Sequence, residues 1–150
     1  MKEVRHARPE DAVRLAEIEV FNYRLNFYPI FQNDRYYFSE LTVPALLEEY
    51  RAEPERIKDC FVYDDGIVKG FLRINGTRVE KLFVEPAFQS RGIGRMLLDH
   101  VIEEAGVKEL CVLEKNPRAI RFYERHGFSR TDERVRVDDT DEFFVVMKRE

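Results

Sequence analysis

Gln89-Ser90-Arg91-Gly92-Ile93-Gly94-Arg95 is the stretch of this chain whose residue types and spacing say most about chemistry. It stands between a proline, Pro86, and an amphipathic run that begins at Ile93. The first turn of a helix carries backbone N–H groups with no intrahelical partner, and the positive end of the helix dipole lies there. Glycines at 92 and 94 open that backbone to close approach, and Arg91 and Arg95 add charge. Such a segment suits the oxygens of a diphosphate. Two known phosphate loops do not fit it. A dinucleotide fingerprint would need a third glycine where Leu97 stands, and no GxxxxGK[ST] occurs. A second stretch follows, in which Asn116, Ala119, Tyr123, Gly127 and Phe128 stand in order, with Pro117 placed to open a helix.

The elements that must hold these stretches can be read from period and punctuation. The spacing predicts a strand β1 over 2–7 and a helix α1 from Pro9 to about 22, with Glu10 and Asp11 in its first turn. A helix α2 over 42–52 has Thr42 as N-cap and Pro44 close behind. Strands β2 (59–64), β3 (67–75) and β4 (78–85) form an antiparallel meander, turning at Asp64-Asp65-Gly66 and Asn75-Gly76-Thr77. Gly94, Leu97, Leu98, Val101, Ile102 and Ala105 then repeat at helical spacing, giving α3 up to Gly106. Strand β5 (108–113), helix α4 (117–126, capped by Asn116), and strands β6 (128–136) and β7 (142–148) complete the chain. The result is a single α/β (α+β) domain over 1–150: a mixed, mostly antiparallel central sheet flanked by helices, in the order β1-α1-α2-β2-β3-β4-α3-β5-α4-β6-β7.

Both motifs and this order resemble the GNAT superfamily of N-acetyltransferases. The family's Gln/Arg-x-x-Gly-x-Gly/Ala is matched at Gln89, Gly92 and Gly94. Its downstream Asn-x-x-Ala-x-x-x-Tyr-x-x-x-Gly-Phe is matched from Asn116 to Phe128. The resemblance is specific over about 79–128 and implies a site. Backbone groups of Leu82, Phe83 and Val84 would hold the pantetheine arm of acetyl-CoA on a strand splayed from its neighbour. The backbone from Gln89 through Ser90, Arg91, Gly92, Ile93 and Gly94 to Arg95 would hold the diphosphate. Asn116, Ala119 and Phe122 would line the arm, with plain helix capping as the other reading of Asn116.

Catalytic roles also follow from the resemblance. Tyr123 would be the general acid, since a phenol is neutral at pH 7 and can protonate the leaving thiolate; a packed aromatic beside Phe122 is the alternative. Glu80 would be the base that deprotonates the amine. Strand alternation places it on one face with Leu82 and Val84, and the family often carries Glu or His there. An ordinary exposed strand carboxylate is the alternative. The family's acceptor pocket falls on the aromatic segment 21–38, with Tyr23, Tyr28 and Phe31 as candidate substrate-binding residues, although part of that segment must pack the helix on the sheet.

Composition bounds the rest. A net charge of -4 argues against a nucleic-acid partner and leans toward a cationic one. The acidic loop at 138–141 points the same way, or is a solvated charge run. Cys60 and Cys111 sit in apolar runs without CxxC spacing, the three histidines are scattered, and two buried reduced thiols with no metal site are expected. The start Met-Lys-Glu lacks an apolar signal region and no run nears 18 apolar residues, so a cytoplasmic protein without membrane contact is expected. The family is compatible with a homodimer. The expected reaction is acetyl transfer from acetyl-CoA to a primary amine by direct attack in a ternary complex. The alternative is a non-catalytic acyl-CoA-binding sensor or complex subunit of the same fold.

Overall fold

In a computed structural model, residues 3–150 form one seven-stranded sheet in the order β1-β2-β3-β4-β5-β7-β6, covered by helices on both faces. Residue 2 of the expected first strand lies outside the described residues. The strands are β1 (Glu3–His6), β2 (Cys60–Asp64), β3 (Val68–Asn75), β4 (Arg78–Val84), β5 (Glu109–Leu113), β6 (Ser129–Arg136) and β7 (Phe143–Lys148). Every neighbouring pair is antiparallel except β4–β5, which is parallel. The main helices are α1 (Ala12–Asn22), α2 (Val43–Ala52), α3 (Ile93–Ala105) and α4 (Pro117–Glu124), with single helical turns at Tyr28–Phe31 and Glu55–Lys58.

Each face of the sheet has its own core. Leu15, Ile18 and Tyr50 from α1 and α2 pack with Cys60, Val62 and Phe71 on one side. Leu97, Leu98 and Val101 of α3 and Ile120 of α4 pack with Phe61, Tyr63 and Leu72 on the other. Successive residues of β2 therefore enter opposite cores, which is why that strand is apolar from Cys60 to Tyr63 rather than alternating. The same alternation corrects one expectation. Leu110 and Val112 of β5 face the α3 core, so Cys111 between them points to the opposite face and is exposed, whereas Cys60 is buried.

The caps are seated where the sequence puts them. Thr42 accepts from the Ala45 N–H at 3.2 Å, and Asn116 from the Ala119 N–H at 3.2 Å. α1 does not stop at 22. It continues through a wider π-type turn at Tyr23–Phe27, where the Tyr28 N–H reaches back to the Tyr23 carbonyl, and ends at Gln32 with φ +54°. Pro29, which has no N–H to donate, sits at the start of the following turn. A second π-type turn spans Tyr36–Glu40. Both lie in the aromatic segment and turn it into an ordered wall. No helix among the described residues is long and apolar enough to cross a membrane.

Candidate functional site

β4 is where the sheet opens. It pairs with β3 along its length but joins β5 only at Arg78↔Glu109 and Val79↔Leu110. Beyond Val79 its second edge has no strand beside it. The Glu85 N–H donates to the Lys69 carbonyl at 2.9 Å, which makes Gly70↔Val84 a non-hydrogen-bonded pair. The backbone of Val84, and of Leu82 two residues before it, therefore points into the gap. Phe83 lines the cleft that continues from this gap, but not with its backbone. Its backbone groups fall on the β3 side, and its ring enters the α1 core against Tyr23, Phe27 and Phe71, with centroids 5.3, 6.2 and 5.9 Å away.

The gap continues into a cleft of about 450 Å³ lined by Leu82, Val84, the loop from Phe88 and the faces of α3 and α4. Gly92 precedes α3 with φ +81°, a backbone state that costs an L side chain about 1–2 kcal/mol. No side chain among the described residues caps it, so the first-turn N–H groups at 93–95 are open to an anion. Gly94 has a different reason. A Cβ there would meet the Phe122 ring at 3.4 Å, an ordinary contact, so only a side chain longer than alanine would fill the cleft between α3 and α4. Ser90 also has a positive φ of 65°. Arg95, Arg118 and Arg125 line the cleft, with Arg118 donating to the Ser90 hydroxyl at 3.2 Å. Gln89, Ser90, Ile93, Asn116, Ala119 and Phe122 also line it; Arg91 does not, and stands over the Phe88 ring at 5.7 Å.

Tyr123 borders this cleft at 9% exposure. Burial pushes its phenol well above the usual value near 10, so the group stays protonated at neutral pH. Asn116 both caps α4 and borders the cleft. Two asparagines without any motif join them: Asn22 and Asn26, on successive turns at the end of α1.

Glu80 sits elsewhere than alternation implies. The register of β4 on β3 shifts between Val79 and Lys81, leaving Glu80 as the extra residue of a bulge. Val79 and Leu82 both face the α3 core, so the parity of the strand changes between them. Glu80 is thus off the face of Leu82 and Val84. Its exposed carboxylate accepts from Arg73 at 3.1 Å and Asn75 at 3.3 Å, and it lines neither cavity. Lys81 points into the α1 core, where its ammonium lies 2.5 Å from the buried Glu19 carboxylate, which also accepts from the Tyr50 hydroxyl at 2.6 Å.

A second cavity, of about 640 Å³, lies against the first. Phe27 lines both. One wall is aromatic, with Tyr23, Phe31, Tyr36 and Tyr37; the other is the β6–β7 loop from Val137 to Glu142. Burial, followed by the Glu19 charge, raises the Tyr23 phenol, and burial pushes Tyr37 up to about 12. The wall is therefore neutral and polarisable, and the opposite rim is acidic. Asp141 pairs with Arg136 at 3.4 Å and Glu142 with Lys115 at 2.9 Å, while Asp138 and Asp139 form no ion pair among the described residues. Tyr28 is absent from this lining; its hydroxyl donates to Asp34 at 2.5 Å outside it. No group of three or more metal-ligating side chains comes together among the described residues.

Residues 56–130 match the family model described as acetyltransferase (GNAT) domain. The peptidyl-lysine N-acetyltransferase YjaB of Salmonella typhimurium is 34% identical over 109 residues, covering 67% of this chain and 74% of that protein. The YjaB of Escherichia coli is 36% identical with the same coverage. In fold, the chain is similar to the PaiA N-acetyltransferase of Thermoplasma acidophilum, solved in complex with coenzyme A. The two align with a TM-score of 0.67 at 22% identity, over 99% of each chain.

Proposed function

Because this chain belongs to the family of GNAT acetyltransferases, we propose that it moves the acetyl group of acetyl-CoA to a lysine side chain of a peptide or protein. The observation that carries this reading is the pair of cavities that share Phe27, one built for an extended anionic donor and one for a cationic acceptor.

The residues present fit a CoA thioester. The open edge of β4 offers backbone groups at Leu82 and Val84 to the amides of the pantetheine arm. The uncapped first turn of α3 and the cations Arg95, Arg118 and Arg125 suit its phosphates. The thioester supplies an activated carbonyl with a thiolate leaving group. Tyr123, neutral at pH 7, gives that sulfur its proton as the amine nitrogen bonds to the carbonyl carbon and the carbon–sulfur bond breaks, and it is reprotonated through solvent by the second proton that the nitrogen sheds on becoming an amide. In the second cavity, Tyr23, Phe31 and Tyr37 present ring faces along which a lysine stem can lie, and Asp138 and Asp139 attract its charge. Arg73 and Asn75 already hold Glu80, so the proton lost by the ammonium is assigned to solvent at the open mouth of the cavity. Peptide acceptors are favoured over small amines because two relatives that align over 67% of this chain are named peptidyl-lysine N-acetyltransferases.

Release of CoA thiol from acetyl-CoA, followed across lysine peptides, free lysine and small amines, tests this. Lysine peptides are expected to turn over fastest, and Asp138→Asn with Asp139→Asn together should raise their KM several-fold with little change in kcat. Turnover confined to small neutral amines would contradict the acceptor assignment. Binding of acetyl-CoA without turnover on any acceptor would favour an acyl-CoA sensor.

A further inference from the structure

Asn22, at the end of α1, lines the first cleft, and the role given to it here rests on the cofactor reading of that cleft. Asn22 is 2% exposed, and a buried amide is stable only when its hydrogen bonds are made. All four of its bonding positions are used. Its Nδ2 donates to the carbonyls of Ile18 and Val84, each at 2.9 Å. Its Oδ1 accepts from Asn26 at 3.1 Å and from Gln89 at 3.4 Å. Gln89 also donates to the Val84 carbonyl, at 3.1 Å. One backbone oxygen on the open edge of β4 thus carries two side-chain donors, and α1, β4 and the phosphate loop are tied together at that atom.

The choice of atom matters. An extended ligand pairing with a strand edge needs donors and acceptors in register with it. The Val84 carbonyl points into the gap, where it would otherwise be the last acceptor on that edge. With it occupied, Leu82 keeps both backbone groups and Val84 keeps its N–H. A ligand amide placed one step further along would find its acceptor taken and its own N–H unpaired.

We propose that Asn22 is a positioning residue which, together with Gln89, closes the Val84 carbonyl and so fixes the register of the pantetheine arm on β4. The role is on the arm and not on the nucleotide end, which is held by the start of α3.

Calorimetric titration with two ligands separates those ends: CoA, and 3′-phospho-ADP, which lacks the arm. Asn22→Leu keeps the shape and removes both donors. It should weaken CoA binding about tenfold and leave 3′-phospho-ADP within about twofold. Gln89→Met removes one donor to the same oxygen and should show a smaller loss of the same selectivity; it carries the test alone if Asn22→Leu does not fold. Equal losses for the two ligands, or undiminished CoA affinity in a folded variant, would overturn the proposal. A wild-type protein that bound neither ligand would overturn the cofactor reading itself.

Discussion

Burial makes the Tyr123 phenol a weaker acid than tyrosine in water, so it stays protonated well above neutral pH. Because the folded value lies above 10, the protonated form persists throughout the usual assay range. Tyr123→Phe should lower kcat roughly 100-fold while KM for acetyl-CoA stays within about twofold. In the wild type, kcat should show no fall below pH 10 that Tyr123→Phe abolishes; such a fall would mean a normal or lowered phenol. At this scale the sequence is informative where a motif fixes spacing, as for Gly92, Asn116 and Tyr123. It misleads at Glu80, because a one-residue bulge leaves no mark in local composition yet turns the carboxylate to the other face. Asn22 carries no signal, since its meaning comes from Val84 and Gln89, 62 and 67 residues away along the chain, and Asn26 takes its meaning from Asn22.

At the scale of elements, the approach of α3 and α4 sets the width of the cleft, and two glycines serve it for different reasons. Gly92→Ala forces an alanine into φ +81° and should reduce stability by about 1–2 kcal/mol in denaturant unfolding, with partial loss of acetyl-CoA affinity. Gly94→Glu drives a side chain toward Phe122 and into the mouth of the cleft, and should abolish acetyl-CoA binding in calorimetry. Full affinity in the second variant would remove the cleft from the account. The strands and four main helices were legible because their periods are clean and Pro, Gly, Thr and Asn mark their ends. The aromatic segment was not: its π-type turns break the 3.6 period, so residues 23–31 read as a linker although they continue α1. The splay of β4 from β5 was legible only through the family resemblance, since it depends on where a parallel pairing stops.

For the molecule as a whole, charge ties the N-terminal strand to the body of the sheet. Arg5 bonds to Asp11 at 2.8 Å and to Asp64 at 3.1 Å, joining β1, the turn before α1 and the end of β2. Burial acts to raise Asp11, but hydrogen bonds from Arg5 and the Arg8 N–H outweigh it, and the net effect is a lowered carboxyl. The Gly66 N–H, with Arg5, lowers Asp64 as well. Carboxyls lowered in the folded state stabilise it above the unfolded value near 4, and that contribution is lost as pH falls through the folded value. Stability in denaturant should therefore hold near neutrality and decline below about pH 4, and Arg5→Met should shrink the decline.

The shared Phe27 wall calls for simultaneous occupancy: donor in one cavity, acceptor in the other, with direct transfer between them. Initial rates with acetyl-CoA and a lysine peptide both varied test it most directly. Direct transfer gives intersecting double-reciprocal lines and no acetylated protein when the peptide is omitted; parallel lines with an acetyl-enzyme that the peptide discharges would exclude it.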